Sequence, residues 1–111
     1  MFIDVNYEQG IPIIKISGEL DMYDSTKMEE VFNSIDVNSH VGIDCGEISF
    51  VDSTIIGIFV RYSLSKGTNN KSVALINIKP FFTQLLELAK LKKLFEIYST
   101  VENFITDFKA K

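Results

Sequence analysis

One cysteine, one histidine and two prolines in 111 residues leave little room for several kinds of chemistry. Cys45 has no partner for an internal disulfide and cannot seed a cysteine metal cluster; at the end of an apolar run it suits a small buried hydrophobe. His40 alone cannot build a multi-imidazole metal site, and any Ser-His catalytic pair would have to use it. Neither a Gly-rich phosphate loop nor a Gly-x-Ser-x-Gly nucleophile elbow occurs. No catalytic residue, metal site or cofactor is therefore assigned, and the chain is not read as an enzyme. No apolar stretch is long enough to span a bilayer, and Met1-Phe2-Ile3-Asp4-Val5 lacks the basic start and long apolar run of a signal peptide, which points to the cytoplasm. Basic residues are outnumbered 11 to 15, for a net charge of -4, so a broad electrostatic grip on nucleic acid or on an anionic membrane is disfavoured. A protein partner or a small ligand fits better.

What is present is an ordinary globular composition, 46% hydrophobic and 23% charged, enough to build one folded core from residues 1–111, expected to be a monomer when free. Phe2 to Tyr7 alternate apolar and polar as a half-buried strand does, and Glu8-Gln9-Gly10 supplies a turn. Ile11 to Ser17 form the second arm of a hairpin, with Pro12 suggesting an edge or first-residue position. Asp24 or Ser25 caps a helix whose stripe is Met28, Val31, Phe32 and Ile35. Val41 to Cys45 read as a central strand, and Ser72 to Asn77 as the parallel strand after the next helix. Pro80 opens a further helix, Leu94 to Tyr98 form a short last strand, and Ser99-Thr100-Val101-Glu102 has the spacing of a capping box before a helix with Phe104, Ile105 and Phe108 on one face. The order is ββαβαβαβα, an α/β fold with one layer of helices on a mixed sheet.

The stretch Phe50-Val51-Asp52-Ser53-Thr54-Ile55-Ile56-Gly57-Ile58 is the pivot of this arrangement. Asp52, Ser53 and Thr54 stand where a helix from Phe50 to Lys66 begins, and their side chains can bond the unpaired donors of a first turn. The same turn offers a hydroxyl beside the positive end of a helix dipole, where an added phosphate is stabilised. Ile56, Phe59, Val60 and Leu64 form the face expected to pack on the sheet; Ile55, Ile58 and Tyr62 form a second, for which a neighbouring helix is the ordinary cover. Ile55, in the first turn, is instead a candidate contact for a partner.

Asp52-Ser53-Thr54-Ile55-Ile56-Gly57, behind Ile43-Asp44-Cys45-Gly46-Glu47-Ile48-Ser49-Phe50 and together with Gly18-Glu19-Leu20-Asp21, resembles the signature of the STAS-domain family and, within it, the single-domain bacterial anti-sigma factor antagonists. The resemblance runs from Phe2 to about Phe108 and implies the STAS fold. It implies that Ser53 is phosphorylated by a partner anti-sigma factor, a serine kinase, and dephosphorylated by a PP2C-type phosphatase. It places Asp21 beside Ser53 and makes Asp21, Met22, Asp52, Ser53, Thr54, Ile55 and Ile56 the partner-binding patch, through which the kinase is induced to release its sigma factor. The chain departs from the family at Ile55, where a glycine is usual; the branched side chain adds bulk beside the hydroxyl while favouring the helix.

Blander readings stand beside these. Ser53 can be a helix cap alone, Asp21 a solvated loop carboxylate, and Thr54 the modified residue. A STAS interaction or ligand-sensing module of a transport or stress-signalling complex, without phospho-switching, is the alternative function.

Overall fold

The computed structural model describes residues 1–109. Five strands follow one another across one sheet in chain order: β1 (Phe2–Glu8), β2 (Ile11–Leu20), β3 (Val41–Val51), β4 (Val73–Ile76) and β5 (Glu96–Tyr98). β1 and β2 pair antiparallel through a tight turn in which Gln9 and Gly10 both take positive φ; the other pairs are parallel. The four helices are α1 (Ser25–Ser34), α2 (Ser53–Gly67), α3 (Pro80–Leu88) and α4 (Val101–Lys109).

Both central strands run further than their apolar patterns suggest. β2 continues through Gly18-Glu19-Leu20 and β3 through Phe50 and Val51, so the helix begins at Ser53 and not at Phe50. The pairing of β2 with β3 shifts register between Lys15 and Ser17 and again between Gly18 and Glu19, where Gly18 sits at φ +105. These irregularities absorb extra residues and keep the two strands paired to their ends, while destroying the simple alternation that marks a strand. Pro12 is the second residue of β2, which lies inside the sheet. Pairing with β3 starts only at Ile13, so the missing N–H interrupts nothing on that side.

Helices cover both faces of the sheet, not one. Ile14, Ile16, Ile43, Ile48, Val73 and Leu75 point to the face covered by α1, α2 and α3, where Phe32, Phe59 and Phe82 meet. Ile13, Ala74 and Ile76 point to the other, where Phe104, Ile105 and Phe108 of α4 close a smaller core. Gly42 makes that second layer possible: a Cβ there would lie 2.7 Å from the Phe104 ring and 2.8 Å from the Ile76 side chain, so only a bare backbone lets the ring approach. α4 starts with Thr100 as its cap, the hydroxyl accepting from the Asn103 N–H at 3.1 Å, one residue later than a capping box opened by Ser99.

The face of α2 that packs on the sheet also differs from expectation. Ile55, Ile58, Phe59, Ser63 and Lys66 are buried, Ile56 and Val60 are half-buried, and Leu64 is 55% exposed. Two polar side chains lie on the buried face because each finds carbonyl partners: the Ser63 hydroxyl donates to Leu94, and the Lys66 ammonium to Asp36 and Ser39. Tyr62 is covered by α1, its ring stacked 4.3 Å from that of Phe32.

Candidate functional site

Two turns meet where β2 and β3 end side by side. After Leu20 the chain makes one 3-10 turn, Met22–Asp24, before α1; after Val51 it passes through Asp52 into α2. Asp52 takes an extended backbone (φ -95, ψ 177) and serves four bonds at once. One carboxylate oxygen accepts from the Ile55 N–H at 2.9 Å and the other from the Met22 N–H at 2.9 Å, while its own N–H donates to the Leu20 carbonyl and its carbonyl accepts from Ile56. It therefore caps α2 and ties the neighbouring turn to the cap.

The Met22–Asp24 turn is fixed in its own right. The Asp21 carboxylate accepts from the Tyr23 N–H at 2.9 Å, the Asp24 carboxylate accepts from the Asp21 N–H at 3.1 Å, and the Ser25 hydroxyl donates to the Met22 carbonyl. This reciprocal box holds Met22 and Tyr23 outward, 59% and 88% exposed. Asp24 thus stands at the start of α1 without capping it by a side-chain bond, its carboxylate being spent on Asp21.

Ser53 and Thr54 are exposed as the first two residues of α2. Asp52 takes the Ile55 and Ile56 donors, leaving the Ser53 and Thr54 N–H groups, which have no intrahelical partner, at the open end of the helix. Among the described residues no lysine or arginine lies within ion-pair distance of Asp21, Asp24 or Asp52, so the local field is negative apart from the helix dipole. The arrangement can accept an anion on a serine in open water, and it resists closing a dry surface over one.

The residues expected to form a patch divide here. Asp21, Met22, Asp52, Ser53 and Thr54 are brought together around the Asp52 junction, and Ile56 is half-buried at its edge. Ile55 is not a surface residue: it is 0% exposed and belongs to the main core, so it anchors the first turn and offers nothing to a partner. Tyr23 was not singled out by the sequence, although an aromatic residue between two carboxylates in a turn is the available signal. His40 is remote from Ser53, since it precedes β3 and Ser53 follows it, a separation on the order of 30 Å along the strand. Its Nδ1 accepts from the Ser72 N–H at 3.0 Å and its ring lies 4.6 Å from Phe108. Cys45 is fully buried with its thiol pushed up by burial, then by Asp44, a thiol without thiolate character. Among the described residues, no group of three or more His, Cys, Asp or Glu side chains could hold a metal ion.

Removing the junction has a calculable cost. Asp52→Ala is expected to destabilise the fold by about 2–3 kcal/mol, from the lost cap and the lost bond to Met22, and to lower Tm by roughly 8–12 °C. Asp52→Asn, which keeps one acceptor oxygen, should recover about half of that. Thermal unfolding of the three proteins checks it; equal melting would mean the bonds are made by water instead.

A family model described as the STAS domain matches residues 2–104. An anti-sigma-B factor antagonist of Staphylococcus aureus is 28% identical over 91 residues, covering 80% of this chain and 84% of the relative. Among solved structures, an anti-sigma-factor antagonist (STAS) domain protein from Planctomyces limnophilus superposes with a TM-score of 0.85 at 19% identity, covering 95% of this chain and 96% of that one. The Bacillus cell fate determinant SpoIIAA in its phosphorylated form superposes at 0.72 with 17% identity, covering 96% and 99%. No helix among the described residues is long and apolar enough to cross a membrane.

Proposed function

The chain belongs to the STAS-domain family, and on that premise we propose that it is an anti-sigma factor antagonist switched by phosphorylation of Ser53. In the unmodified state Asp21, Met22, Asp52, Ser53, Thr54 and Ile56, joined by Tyr23, dock on an anti-sigma factor of the serine-kinase type, which then gives up its sigma factor. The kinase transfers the γ-phosphoryl group of ATP to the Ser53 hydroxyl, and ADP leaves. A PP2C-type phosphatase hydrolyses the ester and restores the binding form. The protein acts in the cytoplasm and is a monomer when free.

One observation carries this reading. Ser53 presents its hydroxyl at the first residue of a helix whose cap, Asp52, also holds the turn that projects Met22 and Tyr23. A charge added at Ser53 therefore lands one residue beyond the carboxylate that holds the turn displaying Met22 and Tyr23, and it alters the contact surface without refolding the chain. The relative named as an anti-sigma-B factor antagonist and the neighbour solved in a phosphorylated form support the same assignment.

The test is intact-mass analysis after incubation with a candidate anti-sigma kinase and ATP. Wild type should gain one phosphate, Ser53→Ala none, and Thr54→Val one. Phosphate retained by Ser53→Ala would move the switch to another hydroxyl. Complex formation with no phosphate on any variant would leave a binding module without the switch.

A further inference from the structure

A second site lies at the other end of α2. A cavity of about 250 Å³ opens between α1 and α2, walled by Phe32, Ile35, Val37 and Ile58 and closed by Tyr62 and Lys66. Its volume falls below the roughly 300–1,000 Å³ of sites for drug-sized ligands, so it suits a smaller molecule. Tyr62 and Lys66 lie nine and thirteen residues beyond Ser53, about 13–20 Å along the helix axis, which separates this cavity from the phosphorylation site.

Two polar groups on its wall have unmet needs. Lys66 is 3% exposed, yet among the described residues no carboxylate pairs with it; its ammonium donates to the Asp36 carbonyl at 2.6 Å and the Ser39 carbonyl at 2.8 Å, which uses two of three protons. Burial pulls its pKa down, partly offset by Asp36. The Tyr62 hydroxyl is buried with no hydrogen-bond partner, and burial keeps the phenol protonated as a donor. A buried donor without an acceptor is a cost that the free protein carries and that a suitable ligand relieves. The rim adds Arg61, bound to Glu29 by a single exposed contact of 3.4 Å. With Asp36 and Lys71, whose charges also act on Lys66, three cations stand against two anions around the apolar wall, an excess of one that favours a ligand carrying one negative charge.

We propose that the α1–α2 cavity binds a small monocarboxylic acid, its carboxylate taking the third Lys66 proton and the Tyr62 hydroxyl while its apolar body lies against Phe32, Ile35 and Ile58. A carboxylate supplies acceptors for both donors and the charge that Lys66 lacks. A neutral amide of the same shape supplies only the acceptor.

The probe is hexanoate, titrated into the intact protein and followed by NMR shifts, with hexanamide as the uncharged match. For about eight non-hydrogen atoms the expected Kd is on the order of 0.1–1 mM. Saturable shifts should be confined to residues of α1 and α2 around the cavity. Tyr62→Phe, which removes one oxygen and leaves the packing, should weaken hexanoate about tenfold without lowering Tm, and hexanamide should bind about tenfold more weakly than hexanoate. Asn33→Trp, a change at an exposed position on the cavity wall, should abolish the shifts. Absence of saturable shifts, equal binding by Tyr62→Phe, or equal binding of hexanamide would each overturn the assignment. None of these outcomes bears on Ser53.

Discussion

Phosphate on Ser53 is expected to lower affinity for the kinase-type partner by about 100-fold or more, an effect of roughly 3 kcal/mol. In the free protein the added group, carrying about -1.5 to -2 charges, sits in water beside the first-turn N–H groups and costs little. In a closed complex it loses water and faces Asp52, Asp21 and Asp24. Those carboxylates cannot swing away, because each is held by backbone N–H bonds within the two joined turns, and among the described residues no cation pairs with them. Repulsion that cannot relax is the reason the effect should be large. Calorimetric titration of unmodified and phosphorylated protein into the partner measures it. Ser53→Ala should bind within about twofold of wild type, and Ser53→Asp, with one charge, should fall between. Equal affinity of the modified and unmodified proteins would sink the switch.

The second large effect concerns the core under the site. Phe59→Ala is expected to cost about 3–5 kcal/mol, against the roughly 5–15 kcal/mol that holds a domain folded. Phe59 is fully buried, its ring 5.9 Å from Phe32 and 5.6 Å from Phe82, so it joins α1, α2 and α3 over the sheet. Leu64→Ala, one turn further along the same apolar helix, should change stability by less than about 0.5 kcal/mol because Leu64 already faces solvent. Urea unfolding of the pair decides the matter: comparable losses would mean that Leu64 packs against the core as Phe59 does.

That contrast also shows what the sequence could and could not convey. The hairpin, the four helices, the buried stripe Met28, Phe32 and Ile35, and the aromatic face of α4 follow from periodicity that one environment imposes on each segment. α2 is different: Ile55, Ile56, Ile58, Phe59 and Val60 are apolar on nearly every side, so period alone cannot choose a face. The residues that would have chosen it, Ser63 and Lys66, are polar yet buried, and only tertiary partners make that tolerable. The same all-round apolarity makes Ile55 look like a surface contact although it lies in the core. The strand ends were hidden by Gly18 and the register shifts around it. The Ser53 turn was legible because a cap must be local, whereas the bond from Met22 to Asp52 spans a sequence separation of 30 and leaves no local trace. The second helical layer depends on Gly42, whose meaning appears only when Phe104 lies across it.

The sequential order of the strands bears on how the molecule is made. Every strand lies beside the ones immediately before and after it in the chain, so the sheet can grow in the order of synthesis, with no gap held open for a later strand. The residues of the two joined turns, with β2, β3 and α2 that end or begin in them, have all been translated once Gly67 is reached, before β4, β5 or α4 exists. The nascent chain thus has both joined turns in hand first, and the aromatic residues of α4 close the far side last.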